Sequence, residues 1–394
     1  MSGKSILNKW GKLILLCSLL MLCLSGCDSD SSKEFWTEGE GSHKTYEPLE
    51  ENVKLLGRTH YVQDSLWLVL SGSGVEFTFT GTKATITLQA DSSYKGGVDS
   101  QARVAILVDG KCVVDDMVDQ EEKTYQIFEG EEPQECVVTV IKLSEAPVSS
   151  VGIKKIDVDA AGEIKPTPQR EHLIEFIGDS ITCGYGTDDE VKNHSFSTKT
   201  ENVMKTYAYK TAEALNADYS MVCYSGHGVI SGYSENGEKA TEPLVPRFYT
   251  KLGYTHTTYM GLKAIDVDWD FSKRQPDVIV INLGTNDESY TGYDKAKQKE
   301  YTNGYVAFLK QIRELNPNAT ILCTLGIVGD CLYSSTQKAV EEYKSQTGDT
   351  NIDCMKFDIQ QREDGLAADW HPTEKTHTKA SMKLTAKIRE LMGW

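Results

Sequence analysis

The chain has 394 residues, 39% of them hydrophobic and 25% charged, enough to bury at least one sizeable core and, at roughly 100–200 residues per domain, to form two. Acidic side chains outnumber basic ones 58 to 41, a formal charge of -17, and such a surface would repel a phosphate backbone, which excludes nucleic-acid partners. With 10 prolines and this apolar content, the disordered, collagen-like and multi-span membrane classes are excluded too.

The amino end is predicted to be a targeting segment. Lys4, Lys9 and Lys12 precede an apolar run at 13–24, too short to span a bilayer but suited to the hydrophobic region of a signal peptide. The run ends in Leu24-Ser25-Gly26-Cys27, which resembles a bacterial lipobox. It predicts a lipoprotein signal over 1–26, a lipid on Cys27, and an exported protein anchored to a membrane at the cell surface or in the periplasm. Residues 28–51 hold eight acidic and two basic side chains among Ser, Gly and Thr, so 27–52 is expected to be a solvated acidic tether. Seven cysteines follow the tether, an odd number, so at least one is unpaired. Cys223, Cys323 and Cys354 fall in or beside apolar runs and are expected to be buried thiols. Cys112 with Cys136 is a candidate cross-sheet disulfide. No cysteine spacing matches a zinc pattern.

Residues 53–162 are predicted to form a small antiparallel sandwich. The segments 66–70, 75–79, 84–88, 103–108, 136–141 and 152–158 are short, rich in Val, Ile, Thr and Phe, and partly alternating. Gly81-Thr82 reads as a turn between two of them, and Asp109-Gly110 as a strong turn signal. Residues 163–170, with Pro166 and Pro168, are predicted to be a linker. From 171 to 394 the pattern changes to alternating elements. Strands are expected at 173–177, 219–223, 278–283, 320–325 and 352–357, and helices at 201–215, 295–315, 337–344 and 376–391. That order predicts a mostly parallel sheet covered on both faces, with ligands bound beyond the carboxyl ends of the strands.

Four blocks fall at those ends. Gly178-Asp179-Ser180-Ile181-Thr182 follows the first strand, where a serine can be held on rigid backbone and needs only a neighbouring base to become nucleophilic. Asp369-Trp370-His371-Pro372 supplies an imidazole able to take that proton and return it to a leaving alcohol, with Asp369 a candidate for fixing its tautomer. Asn282-Leu283-Gly284-Thr285-Asn286-Asp287 offers an amide N–H for a developing oxyanion. Tyr224-Ser225-Gly226-His227-Gly228 offers backbone N–H groups for the same oxyanion, and His227 is a rival base.

Taken in order, the blocks resemble those of the SGNH (GDSL-like) hydrolases. The resemblance implies Ser180 as nucleophile, with its own backbone N–H in the oxyanion hole beside Gly226 and Asn286, and His371 as base; Gly228 replaces Gly226 if the second block is registered two residues later. The whole chain is similar to carbohydrate esterase family 2, in which a jelly-roll-like sandwich precedes an α/β SGNH domain. The strings that carry this are Gly-Asp-Ser-Ile-Thr-Cys-Gly-Tyr-Gly, Asn-Leu-Gly-Thr-Asn-Asp and Asp-Trp-His-Pro. This likeness implies a monomeric serine carboxylic-ester hydrolase of the acetylxylan-esterase type, removing acetyl groups from acetylated xylan or glucomannan without metal or organic cofactor. One position departs from the pattern. The broader family places its triad Asp three residues before the His, and here that residue is Ala368. The resemblance to family 2 implies that a backbone carbonyl can hold the histidine, which leaves that carbonyl, Asp369 or Asp364 to orient His371. Trp370, Tyr185 and Tyr290 are candidate sugar-binding aromatics. The competing expectations are an esterase or thioesterase for other acyl groups, and a glycan-binding surface lipoprotein without activity.

Overall fold

The computed structural model describes Trp36 and residues 43–159 and 162–394; the signal segment and Cys27 lie outside the described residues. Ten strands form one antiparallel sheet: β1 His43–Tyr46, β2 Lys54–Leu56, β3 Thr59–Val62, β4 Ser65–Leu68, β5 Gly74–Ala90, β6 Ala102–Val108, β7 Lys111–Val118, β8 Glu122–Lys142, β9 Val151–Asp159 and β10 Glu163–Pro166. The main path runs β3-β4-β9-β5-β8-β6-β7, with β1 on β9 and both β2 and β10 on β5. The Asp109-Gly110 turn forms as predicted. Val108 pairs with Lys111, and both loop residues take positive φ, the geometry a two-residue hairpin needs.

Several expectations need correction. Gly81-Thr82 is no turn, because 75–79 and 84–88 are halves of the 17-residue strand β5, which shifts register against β8 at Gly81/Lys83 and Ala84/Thr85. Bulges bend a strand without ending it, and a glycine is the residue type that marks both. Two stretches expected outside the sandwich also pair with it: His43–Tyr46 from the tether and Glu163–Pro166 from the linker. The polar strand β7 and the first half of β8 gave no apolar alternation to detect. Cys112 is exposed, Cys136 is buried, and both are free thiols.

Five further strands form a second, wholly parallel sheet: β11 His172–Gly178, β12 Ala217–Cys223, β13 Val278–Asn282, β14 Thr320–Ile327 and β15 Ile352–Ile359. Their order is β12-β11-β13-β14-β15. The helices are α1 Ser180–Cys183, α2 Tyr207–Ala214, α3 Val245–Phe248, α4 Thr285–Thr291, α5 Lys295–Leu315, α6 Tyr333–Thr347 and α7 Glu374–Met392. Helix α5 has the predicted bounds. Helix α2 starts late, because Val203–Lys205 forms a separate 3-10 turn and Thr206 caps the helix proper. In this strand order the connections leave β11 and β13 in opposite directions, so their carboxyl ends open the crevice in which such sheets bind ligands.

The two sheets share core. Leu56, Ala105, Leu107, Ile141 and Leu143 of the antiparallel part pack with Ile174, Phe176, Tyr219 and Met221 of the parallel part, and Trp67, Val69 and Leu70 join the cluster containing Tyr249, Leu252 and Tyr259. Buried Arg58 crosses the junction, donating to the Tyr249 and Lys251 carbonyls at 2.6 and 2.8 Å and to Glu175 at 3.3 Å. Arg103 does the same on another flank, reaching Asp188 at 2.6 Å while holding Asp115. A junction this apolar and cross-linked fixes the two parts against each other.

Candidate active site

Ser180 is the first residue of α1, directly beyond β11. The preceding Asp179 is buried and caps the helix, its carboxylate accepting the Ile181 N–H at 3.0 Å. Four residues make a short helix, and Gly184 ends it with φ +91, where a Cβ would meet the Asn202 carbonyl oxygen at 2.6 Å. A Cβ on Gly186 would lie 2.8 Å from the Ala368 Cβ, so this glycine lets the nucleophile turn pack directly on the histidine loop. Two glycines of the Gly-Asp-Ser string thus have steric causes.

The histidine loop delivers His371 Nε2 to 2.8 Å from Ser180 Oγ. Its Nδ1 faces two backbone carbonyls, Ala368 O at 3.1 Å and Asp369 O at 3.2 Å. Only a protonated Nδ1 can bond to carbonyls, which leaves Nε2 unprotonated toward the serine, as a general base requires. The loop reaches this shape through Asp369 and Trp370, both with positive φ. The Ala368 N–H donates to Asp189 O at 2.9 Å and the Asp369 N–H to His194 O at 3.0 Å, tying the loop to the 188–194 segment. Tyr185 stacks on the imidazole, centroids 3.9 Å apart and planes 14° off parallel. Burial pushes the His371 pKa down to about 4, partly opposed by the Ala368 carbonyl and the Asp369 charge.

The Asp369 carboxylate is turned elsewhere. It accepts the Tyr185 hydroxyl at 2.5 Å, so of the expected orienters of His371 the backbone carbonyls are the ones in contact. Desolvation and then Asp369 raise the Tyr185 pKa, keeping the phenol a donor. Asp364 is held by Lys375 and Lys379 at 2.9 and 2.6 Å.

In the 224–228 loop the two expected registers differ in their backbone bonding. The Gly228 N–H already donates to Pro243 O at 3.1 Å, whereas the Gly226 N–H has no acceptor among the described residues and a Cβ there would meet open space. The Ser180 N–H is also without an acceptor among them. Asn286, at the start of α4, donates through Nδ2 to His227 O at 2.8 Å and more weakly toward Asp179 Oδ2 at 3.4 Å. One amide hydrogen thus fixes the side chain while the other is only loosely engaged. His227, the rival base, donates through Nδ1 to Ser225 O at 2.9 Å, and burial pushes its pKa down to about 4.

Sequence reasoning assigned no role to Asp287, yet its buried carboxylate accepts the N–H groups of Val229, Ile230 and Ser231 at 3.0, 2.7 and 3.0 Å. It staples the end of the oxyanion loop to α4. Burial raises its pKa to about 6 against those three bonds. Of the candidate aromatics, Trp370 is half exposed with Lys192 Nζ 4.1 Å from its ring centre. Tyr185 has its hydroxyl and one face occupied, and Tyr290 bonds Glu300 at 3.0 Å with Lys297 over its ring.

Residues 55–168 match the model of the carbohydrate esterase 2 N-terminal domain, and residues 176–379 match the GDSL-like lipase/acylhydrolase family. The solved structure of a family two carbohydrate esterase from Clostridium thermocellum in complex with cellohexaose is 31% identical, with TM-score 0.75, covering 87% of this chain and 99% of that one. The chain belongs to carbohydrate esterase family 2. Within this family of serine-type ester hydrolases, the cellulase/esterase CelE of Acetivibrio thermocellus is 33% identical over 328 residues, 82% of this chain. The chain spans 37% of that protein's length. An acetylxylan esterase / glucomannan deacetylase of Cellvibrio japonicus is 27% identical over 94% of this chain and 96% of its own.

Among the described residues of this esterase, one group brings metal-ligating atoms together: Glu145, Cys183 and Glu201, all buried, one atom each within 4.8 Å of the others. One oxygen of each carboxylate has another partner, while Glu201 Oε1 is buried with no hydrogen-bond partner among the described residues. Glu145 Oε2 accepts the Ser225 N–H and Glu201 Oε2 the Glu145 N–H, both at 2.8 Å. Burial raises all three pKa values, so without a cation the protonated forms are favoured.

Proposed function

We propose that this chain is an exported carbohydrate O-acetyl esterase that removes acetyl groups from acetylated plant polysaccharides of the xylan or glucomannan type through an acyl-enzyme on Ser180. The observation that carries the reading is the 2.8 Å contact between Ser180 Oγ and His371 Nε2, with the imidazole's other nitrogen on backbone carbonyls. The relative from Cellvibrio japonicus, matched over nearly its whole length, supports the substrate class.

His371 takes the Ser180 proton as the oxygen attacks the acetyl carbonyl. The oxyanion is met by the N–H groups of Ser180 and Gly226 and by Asn286 Nδ2, donors already fixed before substrate arrives. The tetrahedral intermediate collapses, the sugar oxygen leaves with the proton from His371, and acetyl-serine remains. Water then attacks with His371 again as base, releasing acetate and restoring the serine. Half-exposed Trp370, beside the base, offers a flat face to a sugar ring. Tyr185 serves to hold His371 and Asp369 rather than the sugar, and Tyr290 is the remaining candidate contact. The protein acts as a monomer, held to the membrane by lipid on Cys27 and the acidic tether.

The test is acetate release from acetylated xylan, acetylated glucomannan and a peracetylated monosaccharide, with Ser180→Ala as control. Serine-dependent release is the expected result. Rates that rise from acetyl to butyryl to octanoyl esters, with no release from the glycans, would overturn the substrate class.

A further inference from the structure

Every backbone polar group around Gly226 except its own N–H is engaged. The Ser225 carbonyl bonds His227 Nδ1, the Gly226 carbonyl accepts the Tyr233 N–H at 2.8 Å, and the His227 N–H donates to Tyr224 O at 3.3 Å. The Ser225 N–H, one residue before the oxyanion donor, is held from outside the parallel sheet altogether. Its acceptor is Glu145 Oε2 at 2.8 Å. Glu145 is 2% exposed and lies in the connection from β8 to β9, so it comes from the antiparallel part of the chain, 80 residues earlier.

That carboxyl is itself fixed at its base. The Glu145 N–H donates to Glu201 Oε2 at 2.8 Å, and buried Lys142 Nζ donates to the Ser144 and Glu145 carbonyls at 2.6 and 2.9 Å. The segment also docks by backbone, Val203 N–H to Leu143 O at 3.3 Å. The Gly226 N–H lies in the Ser225–Gly226 peptide, whose carbonyl is held by His227 Nδ1, and Glu145 holds the N–H of the peptide just before it, the one of these bonds that comes from the antiparallel part of the chain.

The geometry points to Glu145 as a positioning residue for ester hydrolysis, which orients the Gly226 oxyanion donor by accepting the Ser225 N–H. The antiparallel part of the chain thereby contributes to turnover. The inference rests on the esterase reading above. The role requires an acceptor oxygen at this place and no negative charge, consistent with burial raising the Glu145 pKa. A mis-aimed donor acts on the transition state, in which the oxyanion forms, more than on bound substrate.

The test compares Glu145→Ala, Glu145→Asp and Glu145→Gln with the wild-type enzyme on an activated acetyl ester, together with inhibition by a small boronic acid that forms a tetrahedral adduct on serine. Glu145→Ala should lower kcat about 10- to 100-fold with KM changed less than about threefold, part of the ~10²–10³-fold lost when an oxyanion donor is removed outright. Boronate affinity should fall in step with kcat/KM. The amide oxygen of Glu145→Gln should rescue kcat to within about fivefold of wild type, and the shorter Glu145→Asp should not. Wild-type kcat/KM in folded Glu145→Ala would overturn the inference, as would Glu145→Gln as slow as the alanine variant. If Glu145→Ala does not fold, the Asp and Gln pair decides, and equal activity of the two would overturn it. Absence of turnover in the wild-type enzyme itself would instead remove the esterase reading.

Discussion

Replacing Asp369 separates two ways of building the base. If its carboxylate oriented His371, as a triad aspartate does, the asparagine variant would lose kcat by ~10⁴-fold, because the wrong tautomer is stabilised. Here Nδ1 bonds the Ala368 and Asp369 carbonyls, which Asp369→Asn leaves in place. What disappears is the electrostatic support of the imidazolium by a carboxylate that is bonded to Tyr185 at an exposed position. Interactions of that exposure are worth about 0.2–1 kcal/mol, so Asp369→Asn should lower kcat no more than about fivefold. Asparagine also tolerates the left-handed φ of +49. Asp369→Ala loses the Tyr185 bond as well and places an alanine at positive φ, together about 2 kcal/mol, or roughly 30-fold if the loop shift is fully felt at Nε2. Measuring kcat for both variants on an activated acetyl ester and on acetylated xylan checks this, with circular dichroism to confirm the fold. A loss beyond ~10³-fold in folded Asp369→Asn would refute the backbone-held histidine.

The pH profile follows from the buried base. With the His371 pKa pushed down to about 4, the acid limb of kcat/KM should fall near pH 4 rather than near 6.5, since only neutral imidazole accepts the serine proton. The same depression means the unfolded chain takes up this proton first, so the histidine's contribution to stability is lost as pH falls from about 6.5 toward 4, which a urea titration at stepped pH measures. Asp287→Ala strips the acceptor from three buried N–H groups, and at about 1–3 kcal/mol for each unsatisfied group should cost about 3–9 kcal/mol of stability. A shift in urea midpoint equivalent to under about 1 kcal/mol would contradict that count.

The sequence by itself determined what depends on local chemistry. The Asp109-Gly110 hairpin, the bounds of α5 and the change from strands to alternating elements are written in neighbouring residues, because turn geometry and amphipathic period act within a few positions. The serine block was legible for the same reason, as a residue type just beyond a strand end, whereas His371 lies in a loop between β15 and α7 and was legible through its resemblance to a family motif. The sequence could not decide which group holds His371, because carbonyls carry no residue signature and two positive-φ residues turn the Asp369 side chain away. That the Gly228 N–H goes to Pro243 O while the Gly226 N–H has no acceptor among the described residues is also written nowhere along the chain. The continuity of β5 through Gly81, the pairing of 43–46 and 163–166, and the reach of Glu145 to Ser225 are likewise tertiary facts. Each depends on a partner tens of residues away, and a buried acceptor chosen by three-dimensional proximity leaves no period or motif along the chain.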